Sequence, residues 1–274
     1  MSRLDIHDLF DARFDRDDGP VEVALYICTT PRTGSFTLCR YLIGQGWGVP
    51  TEYYQRHFAR RFMRQWALED DATGMEAAFR DYGRQLLARR VSKKIFAAKL
   101  MPEHVTLFNA VHPKGFDRGV RNVFVHLVRR DFRAQVASLV AASSTNRWSF
   151  SDVEAPVRVM DFTVNGESVH RACRYIIENN RFWVDVFRNQ GIRPIRVETE
   201  ELIDEPGSVI HLLSEQLDRT VDEAALDRSI RQERTGAYES VGAVKHKVLA
   251  EFGSVIEMYD EAYSQAAGSL LHST

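Results

Sequence analysis

The sequence predicts an α/β fold: a single domain over residues 1–274, with a central parallel β-sheet flanked by helices. Two observations carry this. Three largely apolar runs, at 23–28 (VALYIC), 94–101 (KIFAAKLM) and 123–128 (VFVHLV), read as buried strands. A strand covered on both faces loses the alternation of polar and apolar residues. Helical patterns, with apolar residues at three- and four-residue spacing, follow these runs. A chain of 274 residues suits one such domain with a sizeable core.

The first 20 residues are polar and irregular, with a docked arm or short helix expected over 6–14 and a turn at 17–20 (DDGP). The strand at 23–28 then breaks at TTPRTGS, residues 29–35, and a helix resumes through Phe36, Leu38, Cys39, Leu42 and Ile43. It is expected to end near Gly44-Gln45-Gly46, since glycine suits the left-handed cap. Strand, tight turn and helix start make a P-loop-like cradle for an anion. The first helical N–H groups lack internal partners, and the helix dipole adds partial positive charge there. Gly34 lets the backbone approach a ligand closely. Arg32 adds a permanent charge and a donor fork, and Thr33, Ser35 and Thr37 add hydroxyls. The NTPase pattern GxxxxGK[ST] does not fit: Thr29 stands where its first glycine belongs, and Ser35 stands where its lysine belongs.

The segment 47–54, WGVPTEYY, follows. In an α/β sheet ligands gather where strands end and helices begin. A return of this segment to that edge sets the Glu52 carboxylate beside the loop, while Tyr53 and Tyr54 read as packing residues. Residues 55–90 are helical and heavily charged, with Arg56, Arg60, Arg61 and Arg64 close together and a break at Thr73-Gly74. The strand at 94–101 puts Lys99 at its C-terminal end. A helix is expected over 104–111 and a turn at 112–115, where His104 and His112 read as loop residues satisfied by water or backbone. The strand at 123–128 runs into Arg129 and Arg130, and the helix after it carries Ser138. The arginine fork suits a phosphate. Residues 151–168 read as a loop with a short hairpin, 169–190 as an amphipathic helix, 192–197 as a late strand, and 208–217 as a helix. Glu200 and Glu201 fall at a helix start, where acids suit the dipole. The last stretch, 230–252, is basic.

Composition narrows the functional classes. Lys+Arg 36 against Asp+Glu 38 gives a net charge of −2, which argues against a nucleic-acid partner along a basic face. The odd set Cys28, Cys39 and Cys173 sits in apolar patterns and reads as free thiols of a reducing compartment. No Cys/His spacing suggests a metal site. The N-terminus lacks an apolar signal segment, and no run reaches the length of a membrane span. A cytoplasmic protein is expected.

The string P-R-T-G-S at 31–35 resembles the 5′-phosphosulfate loop of sulfotransferases that use 3′-phosphoadenosine 5′-phosphosulfate (PAPS). PRTGSFTLCRYL with the later PTEYY is similar to the bacterial trehalose 2-sulfotransferase-like family. The resemblance implies a sulfotransferase fold, PAPS as donor with adenosine 3′,5′-bisphosphate as product, no metal, and a small-molecule hydroxyl acceptor, possible examples being carbohydrates such as trehalose. It implies a cofactor site at Arg32, Thr33, Gly34, Ser35, Phe36 and Thr37. It also implies Glu52 as general base, with Arg32 and Lys99 stabilising the charge that develops. Many cytosolic sulfotransferases end a strand with K-T-H and use that histidine as base; here Lys99 matches the lysine and Met101 stands at the histidine, and methionine cannot take a proton. The string R-x-D-x-x-x-Q-x-x-S matches Arg129, Asp131, Gln135 and Ser138. It favours Arg129 with Ser138 for the 3′-phosphate, and the eight-residue spacing of the wider superfamily keeps Arg130 as second choice. A closed homodimer is expected as well. Two readings remain as alternatives: a P-loop-type small-molecule kinase, which lacks its lysine here, and a non-catalytic nucleotide-binding protein, which would have no use for Glu52.

Overall fold

The computed structural model describes residues 4–16, 18–68, 75–112, 119–148, 164–235 and 242–268. Two short 3-10 helices, Ile6–Phe10 and Ala12–Phe14, form the N-terminal arm. Strand β1 (Val23–Thr29) leads into α1 (Ser35–Gln45), then α2 (Arg56–Gln65) and α3 (Met75–Arg89). The strands β2 (Val91–Ser92) and β3 (Ile95–Leu100) precede a 3-10 turn, Pro102–His104, and α4 (Val105–Val111). Strand β4 (Arg121–Val128) feeds α5 (Phe132–Thr145), followed by α6 (Gly166–Asn189), β5 (Ile195–Glu198), α7 (Thr199–Asp204) and α8 (Pro206–Leu217). The remaining helices are α9 (Glu223–Thr235), α10 (Gly242–Glu257) and α11 (Asp260–Gly268).

The sheet order is β2-β3-β1-β4-β5, with β1 central between two parallel neighbours. The fold is the expected α/β one, with one correction. Strand β2 pairs antiparallel with β3, so the sheet is mixed at that edge. Lys93 and Lys94 make the connecting turn with both φ positive, 48° and 61°. Asn-Gly is the sequence signal for such a turn, and two lysines do not announce it.

Each face of β1 builds its own core. Ala24, Tyr26 and Cys28 pack with Phe96, Tyr54, Trp183 and Phe187, while Leu25 and Ile27 pack with Leu38, Leu42 and Leu213. All seven residues of β1 are buried, which is why the run shows no alternation. A third core joins α5, α6, α10 and α11. Helix α1 ends on Gly46 at φ 72°, as expected.

Three boundaries move. Helix α6 begins at Gly166 because Asn165 caps it, accepting from the Ser168 N–H at 2.9 Å. Strand β5 begins at Ile195, after Pro194, which has no N–H for the ladder. The basic stretch 230–252 divides between α9 and α10. The turn at 113–115, the break at Thr73-Gly74 and nearly all of the hairpin over 157–164 lie outside the described residues. Among the described residues no helix is long and apolar enough to cross a membrane.

Candidate active site

The loop between β1 and α1 lies at the C-terminal edge of the sheet. Gly34 takes φ 70° at the start of α1, and no side chain caps the helix there. Arg32 is also left-handed, at φ 68°. That conformation costs a residue with a Cβ roughly 1–2 kcal/mol, so the surroundings must impose it. They do so by hydrogen bonds. Gln135 Nε2 donates to Thr30 Oγ1 and to the Pro31 carbonyl, both at 2.8 Å. Thr199 Oγ1 lies 2.8 Å from the Thr33 carbonyl and 3.0 Å from that of Val128. Trp183 Nε1 donates to the Thr29 carbonyl at 2.9 Å. Thr33 turns its hydroxyl inward, 2.6 Å from Thr29 Oγ1 and 3.1 Å from the Thr30 carbonyl. It is fully buried and does not line the cleft, so its hydroxyl is not offered to a ligand. Ser35, Phe36 and Thr37 do line it.

A basic cluster faces the loop. Arg32 Nε donates to Ser138 Oγ at 3.0 Å, joining the loop to α5. Arg129 Nη1 donates to the Arg32 carbonyl at 3.2 Å, while Arg129 Nε is buried without a partner. A buried donor left unsatisfied calls for an explanation, and this one belongs to a residue of the cleft lining. Lys245 on α10 completes the cluster. Burial lowers its pKa, and the positive charges of Arg32 and Arg129 lower it further. An anion bound among the three would relieve that repulsion. Arg130 goes elsewhere: it is 61% exposed, ion-paired with Glu198 at 2.7 Å, and absent from the cleft lining.

Glu52 stands across the cleft. Its segment returns to the sheet as expected, with the Lys99 N–H donating to the Thr51 carbonyl at 3.0 Å. Glu52 is only 8% exposed, and Lys99 Nζ donates to its Oε1 at 2.7 Å. Burial pushes the carboxyl pKa up, but Lys99, by its charge and its hydrogen bond, together with the neighbouring His104 and His57 rings, outweighs it, and the net shift is downward. Glu52 is therefore ionised across the neutral range. Met101 lies beside the pair in the cleft wall. Tyr53 and Tyr54 are core residues, as expected.

A family model described as Stf0 sulphotransferase matches residues 24–241. The chain belongs to the Stf0 sulphotransferase family. It is a sulfotransferase, and the α/β fold agrees. Three solved structures are similar to this Stf0 sulphotransferase. The sulfotransferase domain from the Synechococcus PCC 7002 olefin synthase is 15% identical, with 87% of this chain and 97% of that one covered and a TM-score of 0.43. The sulfotransferase domain from the curacin biosynthetic pathway is 12% identical, with 86% and 99% covered and a TM-score of 0.43. Sulfotransferase STF9 from Mycobacterium avium is 14% identical, with 89% and 78% covered and a TM-score of 0.47. A comparison with curated proteins returns no match.

In this Stf0 sulphotransferase one cleft of about 1650 Å³ brings together Arg32, Ser138, Arg129, Glu52 and Lys99. That exceeds the roughly 300–1,000 Å³ typical of a pocket for one drug-sized ligand. Several contributors were not singled out from the sequence. Gln135 was matched only as part of a string, yet it fastens the loop. Lys245 lies in the stretch 230–252, which the sequence marks only as basic. Glu233 on α9 lines the cleft, accepting from Thr37 Oγ1 at 3.1 Å and from Arg40 Nη2 at 2.7 Å. Such long-range pairings leave no local sequence signal. His104 had a usable one, since it lies five residues after Lys99 in a turn at a strand end.

Proposed function

We propose that this sulfotransferase moves a sulfuryl group from PAPS to a hydroxyl of a small molecule, with Glu52 as general base. The observation that carries the reading is the cluster of Arg32, Arg129 and Lys245 against the loop, with Arg129 Nε buried and unpartnered. This donor set fits a nucleotide bearing more than one phosphate. PAPS, when bound, supplies an activated sulfuryl group and a second phosphate as anchor.

The residues divide the work. Arg32 and the amides at the start of α1 hold the phosphosulfate and meet the charge that develops on it. Arg129, Ser138 and Lys245 hold the 3′-phosphate. Glu52 takes the acceptor's proton, for which it must lie within hydrogen-bond reach of that hydroxyl or one water away. Lys99 occupies Oε1, which leaves Oε2 for the acceptor. The acceptor belongs to the class of small hydroxyl compounds, carbohydrates such as trehalose among them.

Calorimetric titration tests the donor site. Adenosine 3′,5′-bisphosphate is expected to bind more tightly than adenosine 5′-monophosphate, and ATP not to substitute. Arg129→Ala is expected to weaken the bisphosphate about ten- to a hundredfold, the scale of a hydrogen bond to a charged group. Equal affinity for the mono- and bisphosphate overturns the assignment. A screen of hydroxyl acceptors with sulfur-labelled PAPS then identifies the second substrate.

A further inference from the structure

His104 takes no part in the mechanism above. It closes the 3-10 turn after β3 and is 2% exposed. Its Nδ1 accepts a hydrogen bond from the Met101 N–H at 3.2 Å. A backbone N–H can only donate, so Nδ1 carries a lone pair there and the hydrogen of the neutral ring sits on Nε2. Nε2 stands 4.0 Å from Glu52 Oε2, the oxygen that Lys99 leaves free.

We propose that His104 is a positioning residue for the Lys99–Glu52 pair, anchored on the Met101 amide and presenting its Nε2–H to the Oε2 side of the carboxylate. The functional meaning rests on Glu52 being the base; the coupling itself does not. The neighbours are consistent with a neutral ring. Burial is the largest influence on His104 and lowers its pKa, against the opposing pull of Glu52 and Glu103; Lys99 lowers it by charge, while its carbonyl acts the other way. Glu52 in turn faces Lys99 from β3, His104 from the turn and His57 from α2. At 4.0 Å the ring makes no hydrogen bond to Oε2; it acts on the carboxylate as an oriented dipole and a wall. It is not a proton relay, because Nδ1 is engaged by a donor and Nε2 already holds its hydrogen.

Nuclear magnetic resonance of the whole chain, with ¹⁵N-histidine and ¹³C-carboxyl glutamate and no substrate present, tests this. In the wild type the His104 ring is expected as the neutral Nε2–H form at pH 7. In His104→Leu the Glu52 titration midpoint is expected to rise by on the order of half a pH unit, since the oriented N–H dipole that favours the ionised form is gone. In His104→Gln, which restores an N–H, the midpoint is expected to move back toward wild type. An Nδ1–H tautomer in the wild type overturns the proposal. So does an unmoved Glu52 midpoint in a folded His104→Leu. If that variant does not fold, the wild-type tautomer decides. Wild-type turnover by Glu52→Gln would remove the base assignment and leave these titrations valid, so the two failures are distinguishable.

Discussion

At Glu52 the ion pair with Lys99 favours the ionised carboxylate and engages Oε1, leaving Oε2 for the proposed role as base. Glu52→Gln keeps the shape and the hydrogen bond but cannot take a proton. Turnover is expected to fall about 10²–10⁴-fold, the contribution of a general base, with bisphosphate affinity within a factor of about two of wild type because no charge leaves the nucleotide side. Single-turnover rates and calorimetry check both. The PTEYY string and the strand-end rule made Glu52 and Lys99 legible in the sequence. The choice between Arg129 and Arg130 was not, because spacing cannot show which of two adjacent arginines turns inward. Here Arg129 turns to the cleft, and Arg130 is drawn to Glu198 and Glu200 beside β5. The hydroxyl of Thr33 misled for a local reason: in a turn, threonine readily bonds neighbouring backbone.

Among the elements, the segment 47–52 depends on Gly48. Its φ is +82°, and an added Cβ would lie 2.6 Å from Ala97 Cβ and 3.0 Å from Ala97 N. The chain lies against β3 at this point, and Glu52 is carried in from there. Gly48→Ala is expected to cost about 2–4 kcal/mol through left-handed strain and overpacking, and to lower activity as Glu52 shifts. Thermal melts and turnover check the pair. Strands β1 and β4 were legible because most of their residues are buried on both faces, so their runs are largely apolar and show no alternation. Strand β2 has two residues, too few for any pattern. The loop was legible from its glycine and arginine. What holds it comes from Gln135, Trp183 and Thr199, far along the chain.

For the whole molecule, buried histidines set the acid side of stability. His126 on β4 is fully buried, with neither ring nitrogen partnered, and burial lowers its pKa to about 3. His112 lies near Tyr54 OH at 2.8 Å, and burial brings it to about 4. Both stay neutral in the fold and take a proton in the unfolded chain below about 6.5. Their contribution is therefore complete above that pH and declines as pH falls toward about 4 for His112 and about 3 for His126. Each is expected to cost about 1.4 kcal/mol per pH unit within its window. Glu52, ionised below its usual range, adds stability that is lost in the same direction at lower pH. Denaturant titrations from pH 7 to pH 4 check this, and His126→Leu is expected to remove one histidine's share of the slope.

The hydrogen bonds from Gln135, Thr199 and Trp183 to the loop have a kinetic consequence. With the cradle already formed, capture of the proposed anionic donor is expected to need no rearrangement of this loop. Its association rate is then set by diffusion and by the positive field of Arg32, Arg129 and Lys245, and falls as salt rises. Differences among ligands that share the same charge appear chiefly in how slowly they leave.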